Sequence, residues 1–111
     1  MEPRLKTSIV IAAALRLSAR DAVPMVVVRR GDADAGAILL KLNQLEHGVT
    51  VLAQTRTLEG ELAWLKATGA DPVAEAEADA YIARQVKRDP DLWVIEIEDR
   101  AGRPFFAGRI L

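Results

Sequence analysis

The sequence predicts an α+β domain built on a mainly antiparallel sheet of four to six strands with two helices, in the order αβββ(β)αβ(β). Three observations support this. Two Ala-rich stretches, Leu5 to about Arg20 and Pro72 to about Arg88, carry helix-forming composition. Short runs of alternating apolar and polar residues fill the space between them and the remainder of the chain. The connections between those runs are short and marked by glycine or proline. With 111 residues, half of them apolar and 28% charged, the chain has globular composition and the length of one domain.

The first helix ends before Pro24, whose ring disfavours helical geometry in the preceding residue. Its apolar residues do not keep to one stripe: at 100° per residue Ile9 and Ala12 lie on one side, Val10 and Leu17 on another, Ile11 and Leu15 on a third. A helix apolar nearly all round calls for cover on more than one face. One small sheet supplies one face, so the expectation is a homo-oligomer, a dimer, formed through this helix. Arg4 and Lys6 before the apolar run Ser8–Leu15 have the outline of a secretory signal, but Arg16 and Arg20 interrupt the region where a cleavage site belongs. The segment is therefore read as an ordinary helix of a cytoplasmic protein. The longest charge-free stretches, Thr7–Leu15 and His47–Thr55, have nine residues each, against the roughly 20 that a membrane-spanning helix needs.

Met25–Arg29 is a β-branched run and reads as a strand. After the polar loop Arg30–Gly36 comes Ala37–Leu45, with Ile38, Leu40 and Leu42 on one side and Lys41 and Asn43 on the other. Glu46-His47-Gly48 reads as a hairpin turn. Val49–Arg56 returns as a third strand, and Glu61–Lys66 is read as a fourth because both of its sides are apolar. Asp71-Pro72 offers a capping residue followed by proline at the first helical position. Asp89-Pro90 stops that helix, Leu92–Glu98 forms a fifth strand, and Arg103–Leu111 is expected to pair as an edge strand.

The chemistry on offer is sparse. There is no cysteine and a single histidine, His47, which excludes thiolate metal sites, disulfides and cysteine nucleophiles. The only serines, Ser8 and Ser18, lie in the first helix, so no nucleophile elbow exists. Fifteen basic and 16 acidic residues give a net charge of −1, which argues against nucleic acid as a partner. No cofactor motif occurs.

The most distinctive stretch is Arg29-Arg30-Gly31-Asp32-Ala33-Asp34-Ala35-Gly36. Asp32 and Asp34 in a glycine-bearing loop are candidate oxygen ligands for Mg²⁺. Glu96 and Glu98, two residues apart on one strand face, are candidates to complete such a site. A metal-dependent hydrolase or nuclease is thus the alternative to a non-enzymatic binding or adaptor module. The stretch fails as an EF-hand, because the twelfth position counted from Asp32 is Asn43. Arg29 and Arg30 are candidates for an anionic ligand. Glu75, Glu77 and Asp79, by contrast, read as residues favoured by the helix dipole, with Arg84, Lys87 and Arg88 at the opposite end.

Val28–Gly36, Glu75–Arg84 and Asp89-Pro90-Asp91-Leu92-Trp93-Val94-Ile95-Glu96-Ile97-Glu98-Asp99-Arg100 together resemble an uncharacterised alphaproteobacterial family, domain of unknown function 1491. The resemblance spans nearly the whole chain and is loosest over residues 55–70. It implies a free-standing cytoplasmic bacterial protein and brings no activity, cofactor or site residue with it.

Overall fold

The computed structural model describes residues 5–111. Helix α1 spans Thr7–Arg20, followed by strands β1 (Met25–Arg29), β2 (Ile38–Asn43), β3 (Val49–Arg56) and β4 (Leu62–Lys66). Helix α2 (Glu75–Arg88), β5 (Trp93–Glu98) and the two-residue β6 (Arg109–Ile110) complete the chain. The strands form one six-stranded sheet in the order β1-β5-β2-β3-β4-β6.

The sheet is mixed, which corrects the mainly antiparallel expectation. β2, β3 and β4 form an antiparallel meander, and β1 pairs antiparallel with β5. β5, however, runs parallel to β2, from Ile38 opposite Trp93 to Asn43 opposite Glu98, and β6 runs parallel to β4. The physical reason is the crossover: a chain that leaves β4, climbs through a helix and returns beside β2 arrives in the parallel sense. The edge strand expected over Arg103–Leu111 is real only at Arg109–Ile110. Before it, the chain folds irregularly so that Phe106 meets Trp64 edge to face, ring centroids 5.7 Å apart.

The two helices lie on opposite faces. On one, Ile11 and Ala14 of α1 pack with Ile38, Leu40, Leu42, Leu52, Trp64, Trp93, Ile95 and Ile97. On the other, Ala78 of α2 packs with Leu39, Val49, Val51 and Leu92. β2 is consequently buried on both sides from Ile38 to Leu42. This two-sided burial is the usual condition of parallel strands covered by helices. Lys41 faces away from the Ile38–Leu40–Leu42 row as its alternation requires, but the face it joins is the α2 core and not solvent.

Helix α2 starts at Glu75, after Ala74, and not at Asp71-Pro72. Val73 exchanges both backbone hydrogen bonds with Val49, each at 2.8 Å, and that bridge holds the chain extended through the Pro72-Val73 step. The hairpin turn between β2 and β3 takes the form of a short 3-10 turn at Leu45–His47, with Gly48 at φ +100°, a geometry that favours glycine.

Helix α1 begins without a side-chain cap. Its first free N–H groups are met by the loop after β1: Thr7 N donates to Asp34 O at 3.3 Å, Ser8 N to Ala33 O at 3.0 Å. The buried Thr7 hydroxyl adds a bond to Gly36 O at 2.8 Å. Loop carbonyls thus satisfy donors that a helix start leaves open. The same loop is anchored below by Asp32 N donating to Asp91 O at 2.9 Å and by the Trp93 indole N–H donating to Asp32 O at 2.8 Å.

This close approach requires Gly31 and Gly36. A Cβ at Gly31 would stand 2.1 Å from Asp91 O, and one at Gly36 2.4 Å from the same atom. Backbone on both sides cannot yield as a side-chain tip would. Gly31→Ala is expected to lower stability by about 2–4 kcal/mol. At Gly60, where φ is +84° but a Cβ would meet nothing within 4 Å, the same change should cost only about 1–2 kcal/mol. Urea unfolding of the two variants measures the difference.

Candidate functional site

Each residue singled out in the sequence has a definite place. Arg29 turns its guanidinium onto the chain itself, with Nη1 donating to Pro90 O at 2.8 Å and Leu92 O at 2.7 Å. Arg30 lies over the Trp93 ring, its Cζ 5.4 Å from the centroid, in the range of a cation–π contact. Asp32 Oδ2 accepts the Ala35 N–H at 2.8 Å, an Asx-type turn that shapes the loop. Asp34 lies 3.7 Å from Lys6 Nζ in an exposed pair. Asp32 therefore shapes the loop, while Asp34 stays largely exposed at the start of α1.

Glu96 sits on the opposite side of the sheet, beside Lys41 and Asn43, while Glu98 further along the strand is exposed. The loop carboxylates and the strand carboxylates do not converge. Among the described residues no group of three or more Asp, Glu or His side chains is arranged to hold a metal ion. A Mg²⁺ centre made from Asp32, Asp34, Glu96 and Glu98 is thus not favoured. His47 is half exposed, and its imidazole lies 3.8 Å from its neighbour Glu46, which is itself clamped by Arg100 at 2.6 Å.

One constellation went unseen in the sequence. Lys41 Nζ is 2.8 Å from Glu75 Oε2, 2.8 Å from Asp79 Oδ1 and 3.6 Å from Glu96 Oε1, and its side chain is only 9% exposed. Glu75 and Asp79, one helical turn apart, reach down from α2, and Glu96 reaches across from the parallel neighbour β5. Burial alone would lower the lysine's proton affinity. Hydrogen bonds to Asp79 and Glu75, with the charge of Glu96, more than reverse that and hold it above the ordinary lysine range. The two helix carboxylates therefore do more than complement the helix dipole: they tie α2 to the sheet through one ammonium. No bond is poised for cleavage there and no nucleophile is freed, so the arrangement reads as structural.

A large concavity lies on the other face. Between α1, the β3–β4 hairpin and the segment 105–107 runs a groove of about 1010 Å³. Val10, Ala13 and Leu17 of α1 line it with Leu62, Phe105 and Phe106, and Asp34, Arg56 and Glu59 supply charge around them. Thr7, Ile11, Ala14 and Ser18 form the buried stripe of α1. Ile9 and Leu17 are left 52% and 41% exposed.

A mixed sheet between two helices, with a groove of apolar and charged lining beside α1, defines a small three-layer α+β domain. The chain belongs to the family described as protein of unknown function DUF1491, whose model matches residues 5–107. It is similar to a DUF1491 family protein from Caulobacter crescentus CB15 seen in a crystal structure, at 35% identity and TM-score 0.86 over 97% of this chain and 100% of that one. An NMR structure of a DUF1491 family protein from the same organism aligns at 34% identity and TM-score 0.84 over 99% of both chains. The solution structure of protein Atu0922 from A. tumefaciens, at 21% identity and TM-score 0.76 over 96% of this chain and 95% of that one, shares the fold. No curated protein matches the chain.

The Lys41 cluster makes a testable demand. Lys41→Met leaves three carboxylates facing one another without their cation. We expect a loss of about 1–3 kcal/mol, less than for a fully enclosed pair because Glu75 and Asp79 remain more than half exposed. A group whose proton affinity is raised by folding contributes its full stabilisation below its unfolded value of 10.5 and loses it only on further rise. The deficit of the variant should therefore be the same from about pH 6 to about pH 9, measured by urea unfolding across that range.

Proposed function

We propose that this protein is a non-enzymatic binding or adaptor module of the bacterial cytoplasm that acts as a homodimer through α1. The observation that carries the reading is the exposure of Ile9 and Leu17 on a helix whose other side is already buried in the sheet. Together with Val10 and Ala13 they edge a large groove of mixed apolar and charged lining. Apolar surface of this kind in a soluble domain marks a contact site. The chemistry of the chain agrees: Arg29, Asp32, Asp34 and Glu96 are engaged by loop, helix and strand partners. Among the described residues no helix is long and apolar enough to cross a membrane.

Light scattering at high micromolar concentration should give twice the chain mass of 12.1 kDa. Leu17→Asp places a charge in the contact and should yield a monomer that still folds, because the site is 41% exposed in the single chain, with a lower thermal midpoint than the wild type by the stabilisation that association lends it. A wild-type protein that stays monomeric at that concentration overturns the reading.

A further inference from the structure

We infer that the groove takes the α1 helix of a second copy, antiparallel to the first, with the twofold axis passing at Ala13. This rests on the homodimer reading above and specifies its geometry. Ile9, Ala13 and Leu17 stand at i, i+4 and i+8 on the outer side of α1 and all line the groove. Such a row is a ridge that interdigitates with a like ridge on another helix. Its centre is the small residue, which allows close approach, and its two ends are large and apolar.

A twofold axis at Ala13 sets Ala13 against its own copy and Ile9 against Leu17 of the other chain. The row is thus complementary to itself only when it is reversed about its middle. From Thr7 to Leu15 α1 carries no charge, so no charged side chain of that stretch is desolvated by the contact.

Charge selects the direction. A parallel pair would lay Arg16 and Arg20 against the same two arginines of the second copy. The antiparallel pair carries them toward the other end of the groove, where Asp34 lies beside the start of α1, and Glu59 adds a second carboxylate to the lining. Lys6 stands beside Asp34 at 3.7 Å in an exposed pair and Arg56 also lines the groove, so the arriving arginine shares a carboxylate already half engaged and has two like charges in the groove region. Parallel packing offers it only Asp21, which Arg20 and Arg103 of its own chain already engage at 3.7 Å and 3.3 Å. Antiparallel helix dipoles favour the same choice.

The sequence holds no cysteine, which makes single-cysteine cross-linking unambiguous. Helices packed at roughly 8–10 Å with Cα atoms about 2.3 Å from each axis bring facing Cα atoms within the roughly 4.4–6.8 Å a disulfide spans. Oxidised Ala13→Cys should give a covalent dimer. Ile9→Cys alone should not, because Ile9 and its copy would lie about 12 Å apart along the helices. An equal mixture of Ile9→Cys and Leu17→Cys should cross-link again. Self-linkage of Ile9→Cys and of Leu17→Cys, each on its own, overturns the antiparallel register in favour of a parallel one. A dimer by light scattering with no cross-link at any of the three positions overturns the α1 register while the protein remains a homodimer. A monomer at every concentration overturns both inferences.

Discussion

The parallel pairing of β5 with β2 is the constraint on which the rest of the molecule depends. A strand hydrogen-bonded on both edges, with a helix packed on each face of its sheet, has both faces available for burial. Ile38–Leu42 uses both of them. The odd members, Leu39 and Lys41, need α2 above them, and the even-numbered ones need α1 below. The pairing also places Glu96 level with Lys41, so the one cation inside the α2 layer is neutralised partly by the strand next to it and partly by the helix that covers it. Lys41, 9% exposed, is the member that solvent cannot compensate, and its need for carboxylates from both β5 and α2 is why the cluster specifies how α2 sits as well as holding it.

The loop between β1 and β2 answers a different need. Helix α1 has no side-chain cap, and backbone carbonyls of Ala33 and Asp34 take over that duty. For them to reach, the loop must lie flat on the turn that leads into β5, and Gly31 and Gly36 are the residues that permit it. A stretch whose two aspartates suggest metal chemistry is thus a joint between α1 and β5. The aspartate side chains serve it locally, one by fixing a turn and one by pairing with Lys6.

Much of this was legible in the chain, and the parts that were not share a cause. Both helices, the five main strands and the inward rows of Ile38, Leu40, Leu42 and Trp93, Ile95, Ile97 follow from periodicity and punctuation, which are local. Strand order is not local: nothing within Leu92–Glu98 tells that it will lie between β1 and β2, and the parallel sense follows from that placement. The start of α2 was misread because Asp71-Pro72 is a good helix opening by composition, while the bridge between Val49 and Val73 that overrides it joins residues far apart in sequence. Lys41 was missed for the related reason that an isolated lysine in an alternating strand looks solvent-facing. The available signal was the five-residue apolar run around it, read as one-sided although Leu39 shares its face. Glu75 and Asp79, spaced one turn apart, were its partners in plain sight.

At the free margin of the sheet, β1 presents Val26 and Val28 at 58% and 57% exposure, and its register against β5 shifts between Val27 and Arg29. An uncharged rim of this kind invites a neighbouring molecule to add its own strand, and repetition of that step leads to fibres. The irregularity interrupts the row of amides so that a straight stranger cannot dock along its full length. The same shift that re-aims the end of β1 therefore acts as a stop against runaway growth of the sheet at this margin.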